Sequence, residues 1–427
     1  MLTTPELLDE TAQCSHLGEV LPRWLDRVPL YRRAGYALPD EPHSPPCAAF
    51  RRLPFITKTD IRRQFPNNFL PEGTDLDALL EQDLVELEHT SGTSEDRIPL
   101  LLARGWWAKQ EERALRLNSL VAAVLDEFPN ARRVTISSPV CNGDICYSST
   151  PAKFDRILGN ALHLSLSRQP FLWGDTDLAR MAAEAVEWQP QFLDVDPVYG
   201  VRFAQYCERN GIRLPSLKFI ICSYEFVSVV HRRLLERVFG VPVFNLYGAT
   251  ETGHLLMENE RGEMIPSLET AFLELVEPDA QGIGRLVVTT LTNDYMPLVR
   301  YRIGDLAAQH VQPYRTTYTL HGREGDAFHT PVGGRATIWQ IDQCFKGIGG
   351  IAHYQLVQTG ASEFALRYVP DAQPPTAEEL GELRRRLSDA LGVSDALEFQ
   401  PVDFLLPENS GKFRLGYPLG VSAPARS

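Results

Sequence analysis

The stretch 217-LKFIICSYEFVSVVHRRLLERVFGVPVFNLYGATETGH-254 decides the fold class. Its apolar runs LKFIIC and VPVFNLY have the length of buried strands, and residues 229–239 between them have helical spacing. The same order occurs upstream, where helical segment 178–187 precedes FLDVD and helical segment 200–210 precedes LKFIIC. Such alternation predicts an α/β fold with a mostly parallel sheet flanked by helices.

The flanking regions differ from this central part in their predicted helices and strands. Residues 5–35 have helical spacing, and residues 106–127 predict one long amphipathic helix that leads into a buried strand at 133–140. After residue 265 short strands dominate, which predicts a β-rich subdomain. The last hundred residues mix strand and helix again, including a helix at 376–392.

The composition is that of a globular protein with more than one domain. The 427 residues suggest two or three domains, with 44% hydrophobic and 23% charged residues. A formal net charge of −13 argues against a nucleic-acid partner, because phosphate binding needs a basic face.

The sequence indicates neither export nor membrane insertion. Residues 1–16 lack the basic and apolar regions of a secretory signal, and nothing approaches the ~20 apolar residues of a membrane span. The seven cysteines form no CxxC pair, so their spacing indicates neither a zinc ribbon nor a disulfide framework. We therefore expect a reducing, cytoplasmic location and no membrane partner.

The end of the opening stretch, 244-FNLYGATETGH-254, places a hydroxyl and a carboxylate just past an apolar strand. Glu251 is a ligand type that Mg²⁺ prefers, Thr250 could bond a phosphate, and Tyr247 could stack on a base. The alternative reading is a strand end with a polar turn.

A second segment, 89-HTSGTSEDRIPL-100, is a loop of small and hydroxyl-bearing residues. A glycine lets backbone approach an anion closely, and the neighbouring hydroxyls and amides suit phosphate oxygens. No GK[ST] follows, so this is not a Walker loop, and an ordinary surface loop stays open as the alternative. The candidate phosphate-binding residues are Thr90, Ser91, Gly92, Thr93 and Ser94.

Three further segments carry candidate groups. In 299-VRYRIGDLA-307, the Asp305 carboxylate offers two acceptors to the vicinal hydroxyls of a ribose. In 321-HGREGD-326, Arg323 is a candidate ribose or phosphate ligand. In 407-PENSGKFRLG-416, Lys412 lies in a glycine-bearing loop that could reach an active site from a separate domain.

The ordered set TSGTS, YGATE, YRIGD, GREGD and NSGKFR resembles the adenylate-forming superfamily of acyl-CoA synthetases and nonribosomal-peptide adenylation domains. Within it, 53-LPFITKTDIRRQFP-66 and VPLYRR at 28–33 resemble the phenylacetate–CoA ligase branch. The likeness covers nearly the whole chain, and each motif is short and degenerate.

The resemblance implies how a nucleotide would be held by the motifs already named. The Thr90–Ser94 loop would wrap the phosphates of ATP, Thr250 would bind the α-phosphate, and Glu251 would bind Mg²⁺. Tyr247 would stack on adenine, with Gly248 beside it in the nucleotide site.

The adenine pocket and the ribose would be served by other segments. Ser223, Tyr224 and Glu225 match the Gly-Ala-Glu stretch of the family and would line the adenine pocket. Asp305 would hold the ribose hydroxyls, with Arg323 assisting.

The resemblance also implies a mobile lid. Residues 1–324 would form the large domain, with its β-rich subdomain at about 265–324, and residues 325–427 a small α+β domain. Lys412 of the lid would approach the carboxylate and α-phosphate, and Gly325–Asp326 would be the hinge. Gly333 and Gly334 would help form a thiol tunnel.

The implied activity is ATP-dependent activation of a carboxylic acid, an aryl or small acyl acid by kinship, followed by transfer to a thiol. Coenzyme A is the leading acceptor, and a carrier-protein pantetheine, an amine or another small nucleophile is the alternative. A non-catalytic adenylate-binding module is a second alternative. Self-association as a homodimer stays open.

The chain departs from the family pattern at several places, which include Gly325 at a hinge position that usually carries Asp or Lys and a glycine-bearing loop after the hinge that is one residue longer. Glu95-Asp96-Arg97 stands where Gly and often Lys continue the phosphate loop, and two acidic residues beside a triphosphate are unfavourable unless they point outward. Residues 139–156 replace a Gly-rich stretch that commonly shapes the acyl pocket, which leaves the acid unspecified.

Overall fold

The computed structural model describes residues 10–36, 46–90, 97–139, 151–313, 315–331, 333–393 and 397–424. Helices and strands alternate through the middle of these residues, so the predicted α/β class is confirmed. None of the helices in the described ranges has the length and apolar character that a membrane span requires.

The N-terminal part is largely helical and includes one β-hairpin. Its elements are α1 (Glu10–Arg27), α2 (Pro29–Arg33), α3 (Pro46–Phe50), α4 (Lys58–Arg62), α5 (Leu76–Glu81), β1 (Val85–His89), β2 (Pro99–Ala103) and α6 (Trp106–Leu115).

The central part alternates strand and helix. Its elements are α7 (Ser119–Glu127), β3 (Arg133–Ile136), β4 (Ile157–Leu158), β5 (Ala161–His163), α8 (Asp175–Trp188), β6 (Phe192–Val195), α9 (Pro197–Arg209), β7 (Phe219–Cys222), α10 (Val229–Phe239) and β8 (Val243–Ala249).

The following part consists of strands, as the short apolar segments after residue 265 predict. The C-terminal part contains both helices and strands. The strands are β9 (Gly253–Glu258), β10 (Met264–Pro266), β11 (Ala271–Val276), β12 (Ile283–Thr290), β13 (Tyr301–Gln312) and β14 (Arg315–Arg323). The C-terminal elements are β15 (Phe328–His329), β16 (Arg335–Ala336), α11 (Ile338–Gln343), β17 (Ile351–Gln358), β18 (Phe364–Pro370), α12 (Ala377–Leu391), β19 (Leu397–Pro401) and β20 (Gly416–Tyr417).

The chain divides into two compact units. The first unit contains residues 1–118 and 246–319, and the second contains residues 119–245 and 320–427. The second unit thus includes both the central α/β part and the C-terminal elements. This division does not test the predicted boundary near residue 324, which stays a prediction.

Each unit has its own pattern of strand pairing. In the first unit, neighbouring strands run in the order β11-β12-β13-β14-β10-β9-β8, and the paired registers are antiparallel. In the second unit, β8, β7, β6, β3 and β5 pair in parallel, with β4 antiparallel at the edge. The second unit also contains the four-stranded sheet β19-β18-β17-β20.

Burial on one face fixes the parallel strands of the second unit. Val134, Leu193, Val195 and Cys222 point into a core formed with helices α8, α9 and α10. Gly200 of α9 packs so closely on β6 that an added Cβ would lie 2.9 Å from Val195 Cγ2. Because side chains alternate along a strand, residues 194 and 196 lie on the opposite face.

Several elements differ from the sequence expectations. The segment 5–35, which has helical spacing, forms two helices, because α1 ends at Arg27 and Pro29 begins α2; residues 5–9 lie outside the described residues. The predicted helix 106–127 is likewise two helices, because it breaks after Leu115 and the buried Asn118 side chain donates to the Glu258 carbonyl at 2.9 Å. The prediction of a single helix at 106–127 was wrong because apolar spacing continues across the break.

The cysteine chemistry also differs. Cys14 and Cys47 form a disulfide with Cα atoms 5.3 Å apart, although their spacing indicated no disulfide framework. That expectation was wrong because the two residues meet only through the packing of α1 on α3. In the described part of the chain, the free thiols are those of Cys207, Cys222 and Cys344, all buried.

Candidate active site

The turn between β8 and β9 depends on a close backbone approach. A Cβ at Gly248 would lie 2.2 Å from the Gly253 carbonyl oxygen, so only glycine fits there. The Thr252 amide donates to the Ala249 carbonyl at 3.0 Å, which closes the turn. Thr250, at the centre of this turn, is partly exposed.

Two tyrosine hydroxyls orient the two predicted carboxylates of the first unit. The Tyr301 hydroxyl donates to Glu251 Oε1 at 2.9 Å, and the Tyr247 hydroxyl donates to Asp305 Oδ2 at 2.7 Å. Both carboxylates are largely buried, with exposures of 7% for Glu251 and 8% for Asp305. The structure therefore brings Tyr247 and Asp305 into direct contact, 58 residues apart in sequence.

Asp305 lies within the long strand β13. The pairing of β12 with β13 shifts register here, since Arg285 pairs with Leu306 while Val287 pairs with Arg302. Gly304 has φ +91°, a left-handed value that favours glycine. A bulge of this kind re-aims a side chain, which gives Asp305 its direction.

The base of the predicted phosphate loop is described, and its interior is not. The Thr90 amide donates to the Ile98 carbonyl at 3.1 Å, and Thr90 Oγ1 accepts from the Ile98 amide at 3.0 Å. These two bonds join the ends of the loop. Ser91, Gly92, Thr93 and Ser94, together with Glu95 and Asp96, lie outside the described residues.

In the second unit, the Ser223-Tyr224-Glu225 segment follows strand β7 and bonds to strand β6. Ser223 Oγ donates to Asp194 Oδ1 at 2.9 Å, and the Tyr224 hydroxyl donates to Asp194 Oδ2 at 3.1 Å. The three predicted residues therefore lie at the carboxyl end of a parallel strand, where ligands bind in open α/β sheets.

The predicted catalytic lysine lies at the same edge of this sheet. The Phe413 amide, next to Lys412, donates to a Glu225 carboxylate oxygen. Ser138 Oγ donates to the Ser410 carbonyl at 3.3 Å, and the Tyr199 hydroxyl lies 3.0 Å from the Gly411 carbonyl oxygen. Segment 408–413 is thus docked onto the strand ends by three separate contacts.

Two carboxyl groups next to Lys412 are electrostatically unusual. Burial raises the pKa of Asp196 to about 7. The hydrogen bond from the Val198 backbone amide and the positive charge of Lys412 oppose this shift. Burial also raises the pKa of Glu225 well above its usual range, and repulsion from Asp196 adds to that effect. The Lys412 ammonium group therefore lies near two buried carboxyl groups, those of Asp196 and Glu225.

The remaining predicted residues are also in the second unit. Arg323 is exposed at the end of β14. The predicted hinge lies in a short 3₁₀ turn, where Arg414 donates to the Gly325 carbonyl at 3.2 Å and pairs with Asp326. Gly333, with φ +78°, lies between β15 and β16.

Stability should fall with rising pH because of Asp196. Its raised pKa means that the folded state binds this proton more tightly than the unfolded chain, in which an aspartate has a pKa of ~3.9. The contribution of protonated Asp196 to the free energy of unfolding is complete below pH ~4 and is lost as pH rises through about 7.

An Asp196→Asn variant keeps the side-chain cap of α9 and removes the titration. We expect the free energy of unfolding of the wild type to fall relative to the variant by up to ~1.4 kcal/mol per pH unit in this window. Urea unfolding from pH 4 to pH 8 measures it. Parallel pH profiles for the two proteins would contradict the expectation.

Comparison with known proteins was made by sequence and by fold. No protein-family model matches the chain. The phenylacetate–coenzyme A ligase of Thermus thermophilus is 27% identical over 301 residues, which are 66% of this chain and 61% of that protein. The corresponding ligase of Pseudomonas putida is 24% identical over 321 residues, which are 70% of this chain and 67% of that protein. The alignments thus span about three fifths to two thirds of these relatives.

The structural likeness extends over nearly the whole chain. A crystal structure of 2-hydroxyisobutyryl-CoA ligase in the postadenylation state, in complex with R3-HIB-AMP, covers 97% of this chain with a TM-score of 0.68 and 18% identity. The match covers 90% of that protein. At this identity the likeness concerns the fold.

In sequence and in fold, the chain is thus similar to members of the adenylate-forming superfamily. The sequence relatives named above are phenylacetate–coenzyme A ligases, so the likeness is to that branch. The resemblance predicted from the ordered motifs is therefore confirmed. The roles of the individual site residues stay predictions.

A magnesium ion would fit the donors that this chain offers. Among the described residues there is no group of three or more His, Cys, Asp or Glu side chains that could hold a metal. Mg²⁺ needs no such cage, because it keeps several waters and binds one or two carboxylates plus substrate phosphates. Glu251, with one oxygen bonded to Tyr301, suits that role.

Sequence reasoning missed several residues of the site. Asp194 accepts a hydrogen bond from Ser223, and Asp196 interacts electrostatically with Glu225. The sequence signal for both residues was a pair of carboxylates at alternate positions of a buried strand. Tyr199 and Ser138, which dock the Lys412 segment, gave no signal, because a tyrosine in a helix and a serine after a strand are common. Tyr301 lay inside a quoted motif, yet its contact with Glu251 depends on strand register.

Proposed function

We propose that this protein activates a carboxylic acid with ATP as an acyl-adenylate and then transfers the acyl group to a thiol, most simply that of coenzyme A. One observation carries the proposal. The Lys412 segment is docked on Glu225, 188 residues away in sequence, at the carboxyl ends of the parallel strands. Two motifs predicted to serve one reaction are thus in contact.

The reaction takes place in two displacements. A carboxylate oxygen of the acid forms a bond to the α-phosphorus of ATP, and pyrophosphate leaves. The thiol sulfur then attacks the acyl carbon, AMP leaves with the bridging oxygen, and the thiol proton passes to solvent.

The residues of this chain would lower the electrostatic barrier of the first displacement. A carboxylate approaching a nucleotide polyanion is repelled, and a positioned cation on the developing charge offsets that repulsion. Lys412 would supply the ammonium group, and Glu251 would hold Mg²⁺, which neutralises phosphate charge when bound. Asp305, aimed by the bulge at Gly304, would accept from the ribose hydroxyls.

Finer features belong to the same proposal. Kinship favours an aryl or small acyl acid, as the relatives named phenylacetate–coenzyme A ligases suggest. Thr90, Ser91, Gly92, Thr93 and Ser94 would bind the phosphates, with Thr250, Gly248 and Arg323 assisting. A cytoplasmic location and homodimer formation are proposals as well. Carrier-protein pantetheine, an amine or another small nucleophile would be the alternative acceptor.

Acid-dependent ATP–pyrophosphate exchange across a panel of aryl and short acyl acids tests the proposal. We expect exchange with at least one acid and none without acid. Binding of ATP with no exchange for any acid would favour a non-catalytic adenylate-binding module. Mass spectrometry of the products with coenzyme A and with a carrier protein then identifies the acceptor.

Glu251→Gln should lower the exchange rate about a hundredfold and raise the Mg²⁺ concentration needed for half-maximal activity, because an amide is a weaker ligand than a carboxylate. Glu258→Gln is the matched control, since Glu258 is also 7% exposed and lies on the adjoining strand β9. We expect that control to stay within about twofold of the wild type. Equal Mg²⁺ titrations for both variants would remove Glu251 from the metal site.

A further inference from the structure

A strained turn at Tyr224 fixes the direction of Glu225. Tyr224 has φ +73°, and the Glu225 amide donates to the Ser223 carbonyl at 2.9 Å, so residues 223–225 form a three-residue γ-turn. A γ-turn with positive φ is rare and strained for a residue with a side chain. Such a conformation persists only where the surrounding structure holds it.

Asp194 of the neighbouring strand β6 fixes this turn through two hydrogen bonds. One carboxylate oxygen accepts from Ser223 Oγ and the other from the Tyr224 hydroxyl, so the clamp acts on two residues of the turn. Asp194 is buried in strand β6, and Arg133 of β3 lies 3.9 Å from Oδ2. The clamp is therefore fixed by the sheet and not by a loop.

The turn delivers Glu225 to the Lys412 segment. The Glu225 carboxylate accepts from the Phe413 amide, and Lys412 is the preceding residue. If the turn relaxed, this acceptor would move away and segment 408–413 would lose one of its contacts. The link therefore runs from Asp194 through Tyr224 and Glu225 to the backbone beside Lys412.

We propose that Asp194 is a positioning residue for the first displacement, acting through the Tyr224 turn on the placement of Lys412. This inference rests on the proposed function, because it assumes that Lys412 acts on the acid and the α-phosphate. Asp194 itself would touch neither substrate. A role confined to stability would instead weaken folding without a selective effect on the first displacement.

Two variants test the link, each with a matched control. Asp194→Asn keeps the size of the side chain and weakens the clamp, and Tyr224→Phe removes one hydroxyl only. Asp177→Asn, at an exposed position of α8, and Tyr206→Phe, in α9, make the same changes elsewhere in the second unit. ATP–pyrophosphate exchange and amide hydrogen exchange of the peptide containing Phe413 are measured for all four.

For Asp194→Asn we expect the exchange kcat to fall about tenfold or more while the KM for ATP changes less than about threefold. The Phe413 amide should exchange about tenfold faster with the melting temperature nearly unchanged. Tyr224→Phe should show the same two effects to a smaller degree. Both controls should stay within about twofold of the wild type in each measurement.

Two results would overturn the inference. In the first, Asp194→Asn keeps both its exchange rate and its Phe413 protection. In the second, the melting temperature, kcat and KM for ATP change together, as a purely structural role requires. Wild-type protein that is inactive with every acid would defeat the proposed function instead, and Phe413 protection would still decide whether Asp194 positions the Lys412 segment.

Discussion

Lys412→Ala should lower ATP–pyrophosphate exchange about a hundredfold or more while ATP still binds. The ammonium group would act on the attacking carboxylate and the α-phosphate, and its loss would leave the repulsion between acid and nucleotide uncompensated. A positioned cation of this kind contributes ~3 kcal/mol or more to transition-state stabilisation. Nucleotide binding should persist, because the predicted adenine and ribose contacts come from other residues.

The control for this variant is Lys346→Ala, which removes an exposed lysine from the same unit. We expect it to retain nearly full exchange. Isothermal titration with ATP separates loss of binding from loss of chemistry. Full exchange activity in Lys412→Ala would mean that this lysine has no part in the first displacement.

Gly411→Ala should have the second large effect, because it disturbs the docking of the Lys412 segment without changing any charge. Gly411 has φ +85°, and an added Cβ would lie 2.3 Å from Ser138 Oγ and 3.2 Å from the Tyr199 hydroxyl. The segment would have to shift away from Ser138 and Tyr199, which are two of the three side chains that dock it. We expect exchange activity to fall about ten- to a hundredfold, with a smaller loss of thermal stability.

Gly420→Ala is a matched control for the backbone strain. Gly420 has φ +87°, nearly the value at Gly411, and no heavy atom lies within 4 Å of its added Cβ. Both variants incur the ~1–2 kcal/mol cost of a left-handed alanine, and only Gly411→Ala adds the collision. Equal exchange activities in the two variants would show that docking at Ser138 and Tyr199 does not matter for catalysis.

The central helices and strands were predictable because local sequence decides them. Helix α10 has the predicted bounds, 229–239, since Ser228 caps its start and Gly240, with φ +67°, ends it. The apolar strands β6, β7 and β8 likewise lie where the alternating pattern placed them. Here propensity, capping and burial agree, which is the condition for reliable prediction.

Features that depend on long-range contacts were not predictable from local pattern. The break after Leu115 coincides with a buried contact from Asn118 to strand β9, 140 residues away. The disulfide between Cys14 and Cys47 follows from the packing of two helices. The Tyr247–Asp305 and Tyr301–Glu251 contacts depend on strand order and on a bulge that period-two alternation does not reveal.

The sequence indicates the carboxyl groups near Lys412 only through two aspartates at alternate positions of a predicted strand. FLDVDP places Asp194 and Asp196 on one face of a strand whose other face is apolar. Two carboxylates are costly on a buried strand unless they bond to something, so the pattern marks a polar edge. Which groups they bond became evident only from the fold, where they meet the Tyr224 turn and the Lys412 segment.

The most direct test of acyl-adenylate formation follows the oxygen atoms of the acid. A carboxylic acid that supports exchange is labelled with oxygen-18 in its carboxyl group and converted with ATP and thiol, and the nucleotide product is analysed by mass spectrometry. Attack of the carboxylate on the α-phosphorus predicts AMP that carries one labelled oxygen. Unlabelled AMP, or label found in orthophosphate, would contradict it.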